Sequence, residues 1–282
     1  LDEVEMQRLR AEEMRRPFDL VKGPLFRARA ITLGGHGHAL LQCLHHIISD
    51  GWSMEIFGKE LALLYRSCRE GRPAGLPDLE LQYADFAVWQ RKWLDGVVLE
   101  RHIDFWRQQL KGAPTLELPL DRPRPAVQQH NGSRVGFSVG ADIAERLRVL
   151  GRKEGVTLFM TALAAFKLLL ARYSGVDDIT VGTPIANRNR GELEPIIGFF
   201  ANTLVLRTSV PDQDSFRAIV QRVRSTCVSA YDHQAMPFEK LVEELQPARD
   251  LSRNPLFQIV FSLTSFQPDQ ETGVVVDRGD RR

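Results

Sequence analysis

The sequence predicts an α/β protein built in two halves, and three stretches carry that prediction. ALLQCLHHII, Ala39 to Ile48, is too continuously apolar for a surface strand and too short for a typical helix, so it suits a buried strand. LFMTALAAFKLLLARY, Leu158 to Tyr173, is apolar almost all round and suits a deeply buried helix. Between them ELPLDRPRPAVQQHNGS, Glu117 to Ser133, is broken by Pro119, Pro123 and Pro125 and shows no periodicity, which marks a linker. The predicted boundary falls there, dividing residues 1–125 from 126–282.

The elements follow in order. The opening LDEVEMQRLRAEEMRR is charged and helical, lacks an initiator methionine and starts in mid-helix, so the chain reads as an excerpt of something longer. After the strand at Ala39 to Ile48, Asp50 and Gly51 turn the chain into a helix with Trp52, Ile56, Leu61, Leu64 and Cys68 at helical spacing and Gly71 as its stop. RPAGLPDLELQ is a loop, and the aromatic-rich segment from Tyr83 to Trp106 forms two helices broken near Gly96. Beyond the linker, helices are expected over Ala141 to Arg152 and Thr157 to Tyr173. A strand over Ile179 to Thr183 is stopped by Pro184, and another covers Thr203 to Ser209. A helix capped by Asp214 or Ser215 comes next, then a short helix entered through Pro237, and finally a strong strand in NPLFQIVFSLTSF. Both halves thus mix strands and helices without a regular βαβ repeat.

Composition excludes several classes. A chain of 282 residues has room for a real core, and its formal net charge of +1 comes from interspersed acids and bases, which argues against a nucleic-acid surface. Cys43, Cys68 and Cys227 are widely spaced with no CxxC pair, and read as buried or free thiols of a reducing compartment. No apolar stretch is long enough to span a bilayer and the start is not signal-like, so a soluble, cytoplasmic protein without membrane contact is expected.

LHHIISDGWS, Leu44 to Ser53, carries the candidate chemistry. Successive side chains on a regular strand face opposite ways, so His45 and His46 cannot share a pocket there. That argues against a metal site and predicts unequal roles, one ring packed inside and one facing a cavity at the strand end. On a purely structural reading, Asp50 caps the helix near Trp52 and Gly51 serves the turn.

The full string resembles the HHxxxDG signature of condensation domains of nonribosomal peptide synthetases. Further blocks resemble that family in order: PFDLVKGPLFRARAITL at Pro17 to Leu33, YADFAVWQ at Tyr83 to Gln90, and VGTPIANRNR leading to IGFFANTLVLR at Ile197 to Arg207. HQAMPFEKLV at His233 to Val242 and RDLSRNPLFQIVF at Arg249 to Phe261 complete the set. Two family motifs nearer the start and a further C-terminal portion have no counterpart, so the resemblance is to an internal portion of the domain. The tail TGVVVDRGDRR is not expected to belong to the fold.

The resemblance implies two chloramphenicol-acetyltransferase-like subdomains in a V, truncated at both ends here, with a tunnel at their junction. Donor and acceptor peptidyl carrier proteins bring thioesters there on 4'-phosphopantetheine arms, beside a neighbouring adenylation domain. The domain itself binds no cofactor and no metal. The acceptor amine attacks the donor carbonyl and an amide forms. His46 faces the tunnel and either takes the amine proton or orients the amine, His45 is mainly structural, and Asp50 forms a salt bridge, with Arg188 preferred over Arg190 as its partner. The Gly51 N–H is an oxyanion donor. Asn202, Ser53 and Trp52 belong to the tunnel wall, although a structural hydrogen bond explains Asn202 equally well. His233 is expected to be structural, His36 and His38 to sit in a turn between strands, the Tyr83 to Trp106 aromatics to be core, and the arginines of RDLSRNPLFQ to cap or bridge loops. Rival readings are an epimerising, ester-forming or stand-alone acyltransferase relative, and a noncatalytic docking platform, which usually has a degraded histidine motif. Heterocyclising relatives carry aspartate where His45 or His46 stands.

Overall fold

The computed structural model describes residues 3–33, 37–129, 132–247 and 250–264. Helices and strands mix throughout, in the expected α/β class. The chain forms two compact units, Leu1–Phe86 with Arg188–Ala201, and Ala87–Asn187 with Asn202–Arg282.

In the first unit, helix α1 (Glu3–Arg15) precedes a hairpin of β1 (Phe26–Leu33) and β2 (Gly37–Leu44), antiparallel with Phe26 opposite Leu44. Arg27 ties helix to hairpin: its Nε donates to Glu13 Oε2 at 3.0 Å, its Nη2 to the carbonyls of Glu13 and Arg16, and its guanidinium lies 3.9 Å from the Phe18 ring centre. Helix α2 (Gly51–Glu70) is capped by Asp50 and ends on Gly71, whose φ of +64° is the left-handed conformation that glycine adopts without strain. His38 stands opposite Thr32 in the hairpin, Nδ1 3.4 Å from Oγ1, which accounts for it as a cross-strand pair. His36 lies outside the described residues.

The second unit takes in most of α3 (Tyr83–Trp93), then α4 (Gly96–Leu110), α5 (Ala141–Glu154), α6 (Leu158–Ser174), β3 (Asp178–Ile185), β4 (Asn202–Ser209), α7 (Phe216–Asp232) and α8 (Phe238–Leu245). Asp95 caps α4 at the predicted break, Thr157 caps α6, and Ser215 rather than Asp214 caps α7. β3 and β4 are antiparallel, Asp178 opposite Ser209. Leu163, Ile179, Val181, Leu206, Val220 and Val223 are the centre of the core and essentially without solvent contact.

Three expectations change. The contact division does not fall at 125/126: Ile103, Trp106 and Leu116 share one core with α6, β3, β4 and α7. The segment read as a linker is a strap, held by Gln128 N–H to the Leu251 carbonyl (2.8 Å), Arg124 to the Ser252 carbonyl (3.4 Å) and Arg253 to Glu117.

The expected strand at 254–266 is reduced, among its described residues, to one parallel bridge between Gly182 and Val260. Gly182 N–H donates to Ile259 O and Phe261 N–H to Gly182 O, both at 2.9 Å. The next rung needs an N–H at Pro184, which has none; Thr183 Oγ1 donates to Phe261 O instead, at 2.8 Å. The same geometry lets β3 run through Pro184, because the missing N–H faces away from β4. Arg253 bridges Glu117 and Asp250, while Arg249 and the tail lie outside the described residues.

The third change is at the histidines. β2 ends at Leu44, and His46–Ile48 forms a single 3-10 turn.

Candidate active site

The alternation argument for His45 and His46 therefore fails, because neither lies on the strand. Their roles separate by a different route. His45 has extended backbone and caps the 3-10 turn, its Nδ1 accepting from Ile47 N–H at 3.1 Å while its ring meets Phe18 edge-on. That bond uses Nδ1 as an acceptor. His46, the first residue of the turn, is exposed, and its ring stands edge-on to Phe199 with centroids 5.1 Å apart.

Beside this turn the first unit buries an ionic cluster. Asp50 and Arg188 side chains are 2% and 1% exposed, with Arg188 Nη2 3.3 Å from Asp50 Oδ1. Arg188 Nη1 also donates to the carbonyls of Leu193 (2.5 Å) and Ile196 (2.7 Å), and the guanidinium lies 4.1 Å from the Phe200 ring centre. Asp50 Oδ1 accepts from Ser53 N–H and lies 2.7 Å from Ser53 Oγ, while Oδ2 accepts from the N–H groups of Phe200 (3.0 Å) and Ala201 (3.1 Å). Burial alone would raise this carboxyl; the hydrogen bonds from Ser53 and Phe200 and the Arg188 charge outweigh it and hold the group below its ordinary 3.8. Asp50 is thus a charged brace whose oxygens are committed to the loop, and it makes no contact that would relay a proton to His46.

The turn presents Gly51 at the exposed first position of α2, where backbone N–H groups point outward and the dipole is positive. Trp52 is 41% exposed, with its indole N–H on the Glu194 carbonyl at 3.0 Å. The expected wall position for Ser53 is corrected: its side chain is fully buried and bonded within the cluster. Asn202, in the second unit, is 8% exposed and has every amide hydrogen and lone-pair direction engaged. Its Nδ2 donates to the carbonyls of Gln234 (2.9 Å) and Met236 (2.7 Å), and its Oδ1 accepts from Thr203 and Phe238 N–H. This is the structural alternative, a clamp on the turn that enters α8.

Three participants are not visible as such in the sequence. Tyr83 reads there only as a core aromatic, yet its hydroxyl donates to the Phe199 carbonyl at 2.8 Å; burial and the Asp50 charge push its pKa up, so it stays a donor. Gly198 and Phe199, inside the IGFFAN block, are gripped by Ser53 and Tyr83, and Asp50 holds the two residues that follow. The signal for them is the block's own composition, a glycine and paired phenylalanines directly before a polar residue. No group of three or more metal-suited side chains occurs among the described residues. No single described helix is long and apolar enough to cross a membrane.

The condensation-domain family model matches residues 2–277. One of the linear gramicidin synthase proteins of Brevibacillus parabrevis is 51% identical over 266 residues, 94% of this chain but 3% of that protein. The X-domain from teicoplanin biosynthesis is 32% identical with a TM-score of 0.85, covering 92% of this chain and 59% of that one. A four-domain nonribosomal peptide synthetase bound to AMP and glycine is 30% identical with a TM-score of 0.80, covering 94% and 20%. The chain therefore spans less than two thirds of the length of each of these relatives.

Proposed function

Because this chain belongs to the condensation-domain family, we propose that it joins a donor acyl or peptidyl thioester to the amine of an acceptor aminoacyl thioester. Both reach it on phosphopantetheine arms of carrier domains, with an adenylation domain as neighbour, in the cytoplasm. The observation that carries this reading is an exposed His46 on a turn braced by a buried, fully hydrogen-bonded Asp50.

The reaction needs little base strength. An α-amino group titrates near ~8 and a thioester is already an activated acyl donor, so orientation contributes more than proton removal. A neutral His46 imidazole accepts a hydrogen bond from the attacking amine and takes its proton as the carbon–nitrogen bond forms. The Gly51 N–H, at the open start of α2, stabilises the oxyanion on the former carbonyl. Collapse of the adduct breaks the carbon–sulfur bond, the departing thiolate of the donor carrier takes the proton back from the His46 imidazolium, and the amide is left on the acceptor carrier. His45, tied to the Ile47 amide, shapes the turn and stays out of the chemistry.

The test places this domain in its full module with two loaded carriers and compares wild type with His46→Ala. Amide formation should fall by at least ~100-fold in the variant. An unchanged rate removes His46 from the mechanism. An epimer or ester from the wild type reassigns the reaction class, and carrier binding without turnover leaves the docking reading.

A further inference from the structure

We propose that Phe199 is a positioning residue for His46, and that the grip on residues 198–201 exists to hold its ring there; the inference rests on the functional reading above.

The backbone of this segment is fixed atom by atom. Gly198 N–H donates to Ser53 Oγ at 3.1 Å, and its carbonyl lies 2.8 Å from the same oxygen. The Phe199 carbonyl accepts from Tyr83, and the next two N–H groups go to Asp50 Oδ2. A hydroxyl has one proton and two lone pairs. Ser53 Oγ accepts from Gly198 N–H and from Arg188 Nη2 (2.8 Å), so its single proton serves either Asp50 Oδ1 or the Gly198 carbonyl. One oxygen thus joins the brace of the histidine turn to the segment carrying Phe199. Shape adds to this, since a Cβ at Gly198 would strike the Tyr83 ring. The Phe200 ring is buried against Arg188, Tyr83 and Phe86, which leaves Phe199 as the half-buried side chain that meets His46.

An exposed side chain otherwise samples its rotamers on a picosecond to nanosecond scale. An edge-on ring pair biases such an equilibrium by up to about tenfold. With Asp50 making no contact with the imidazole, Phe199 supplies the orientation that an acidic partner gives in other histidine sites, and it does so without adding charge.

Two variants separate ring from bulk: Phe199→Leu keeps an apolar side chain, and Phe199→Tyr keeps the ring. In the full module, Phe199→Leu should lower kcat about tenfold with KM for the acceptor carrier unchanged, and Phe199→Tyr should stay within about twofold of wild type. Tyr83→Phe, which deletes only the hydroxyl on the Phe199 carbonyl, should fall between them. In parallel, NMR of the full chain should show the His46 ring resonances displaced by the Phe199 ring current, with a cross-relaxation contact between the rings that Phe199→Leu abolishes. Equal kcat for Phe199→Leu and wild type overturns the proposal, as do His46 resonances indifferent to the substitution. A wild type that makes no amide defeats the functional reading alone, and the resonance comparison then decides the positioning.

Discussion

The two units bury ionisable groups under opposite rules. In the first, Asp50 and Arg188 are buried together, so each charge has an opposite charge and several hydrogen bonds, and the carboxyl is held ionised. In the second, Lys167 and His102 are buried bases with no carboxylate among their hydrogen-bond partners. Lys167, fully buried on α6, donates to the carbonyls of Ile179 (3.2 Å) and Leu206 (2.7 Å) and to Thr208 Oγ1 (2.8 Å). The nearby Asp178 is engaged by Arg207, and Cys227, pushed up to about 11 by burial, is a neutral thiol. His102 and His233 meet each other, Nδ1 to Nδ1 at 3.0 Å. The buried pair of the first unit is therefore held ionised, whereas the buried Lys167 of the second, pulled down to about 7, changes charge near neutrality.

Breaking the first centre should have the largest effect. Asp50→Ala leaves Arg188 buried without its counter-charge and strips Phe200 and Ala201 N–H of their acceptor, which should cost about 3–5 kcal/mol. Urea unfolding of the full chain measures it, and a loss below about 1 kcal/mol would show that the cluster is not the brace of this unit. The sign of its pH dependence follows from a lowered carboxyl pKa: the stabilisation is complete above the ordinary 3.8 and disappears only as pH falls through the depressed folded value.

Lys167→Met should act in the other direction. Burial pulls the Lys167 pKa from 10.5 down to about 7. The unfolded chain thus binds the extra proton between those values, and wild-type stability rises with pH across that window. Ile179 and Leu206 sit at hydrogen-bonded positions of the β3–β4 ladder, opposite Thr208 and Val181, so removing the ammonium takes a second bond from each carbonyl rather than its first. Thr208 Oγ1 retains Thr226 Oγ1 at 3.1 Å. The variant should be more stable than wild type by roughly 1–4 kcal/mol near pH 7, with the advantage shrinking toward pH ~10. A gap independent of pH would mean that Lys167 keeps its proton throughout.

This contrast also marks what the sequence shows and what it hides. The cap at Asp50, a cap at Asp214 or Ser215, the break near Gly96 and the buried helix α6 are visible because each depends on neighbours within a turn or two. The fate of 254–264 is not, since it turns on a missing N–H at Pro184, some 75 residues away in sequence. The end of β2 at Leu44 is hidden similarly: the apolar run continues through Ile48, but His45 folds its ring back onto the Ile47 amide and closes a turn. At the site, the Asp50, Gly51 and His46 pattern is local, while Tyr83, Gly198 and Phe199 matter through contacts spanning more than a hundred residues. Lys167 looks like an interruption in an apolar helix, because its acceptors are backbone carbonyls that no residue code displays.

The histidine pair of the second unit sharpens the comparison with the smallest effect. His102 is buried between the Trp93 and His233 rings; burial first, then positive charge from His233 and Arg101, keeps it below its ordinary 6.5. His233 stacks on Phe105 with centroids 3.8 Å apart and accepts from Trp106 Nε1 on its carbonyl; burial and Arg101 lower it, with Asp232 opposing. Two Nδ1 atoms in contact share one proton, so a second proton breaks the bond. With both folded pKa values below 6.5, the contribution is complete above that pH and is lost as pH falls through the depressed values. The turn that follows, from Gln234 to Phe238, is also the one Asn202 clamps, so its amides should report the loss. His102→Leu should cost about 1 kcal/mol at pH 8 and less at pH 5, seen as faster hydrogen exchange over 234–238. A cost equal at the two pH values would leave the His102 and His233 contact as packing only, and would make the second unit's proton sensitivity the work of Lys167 alone.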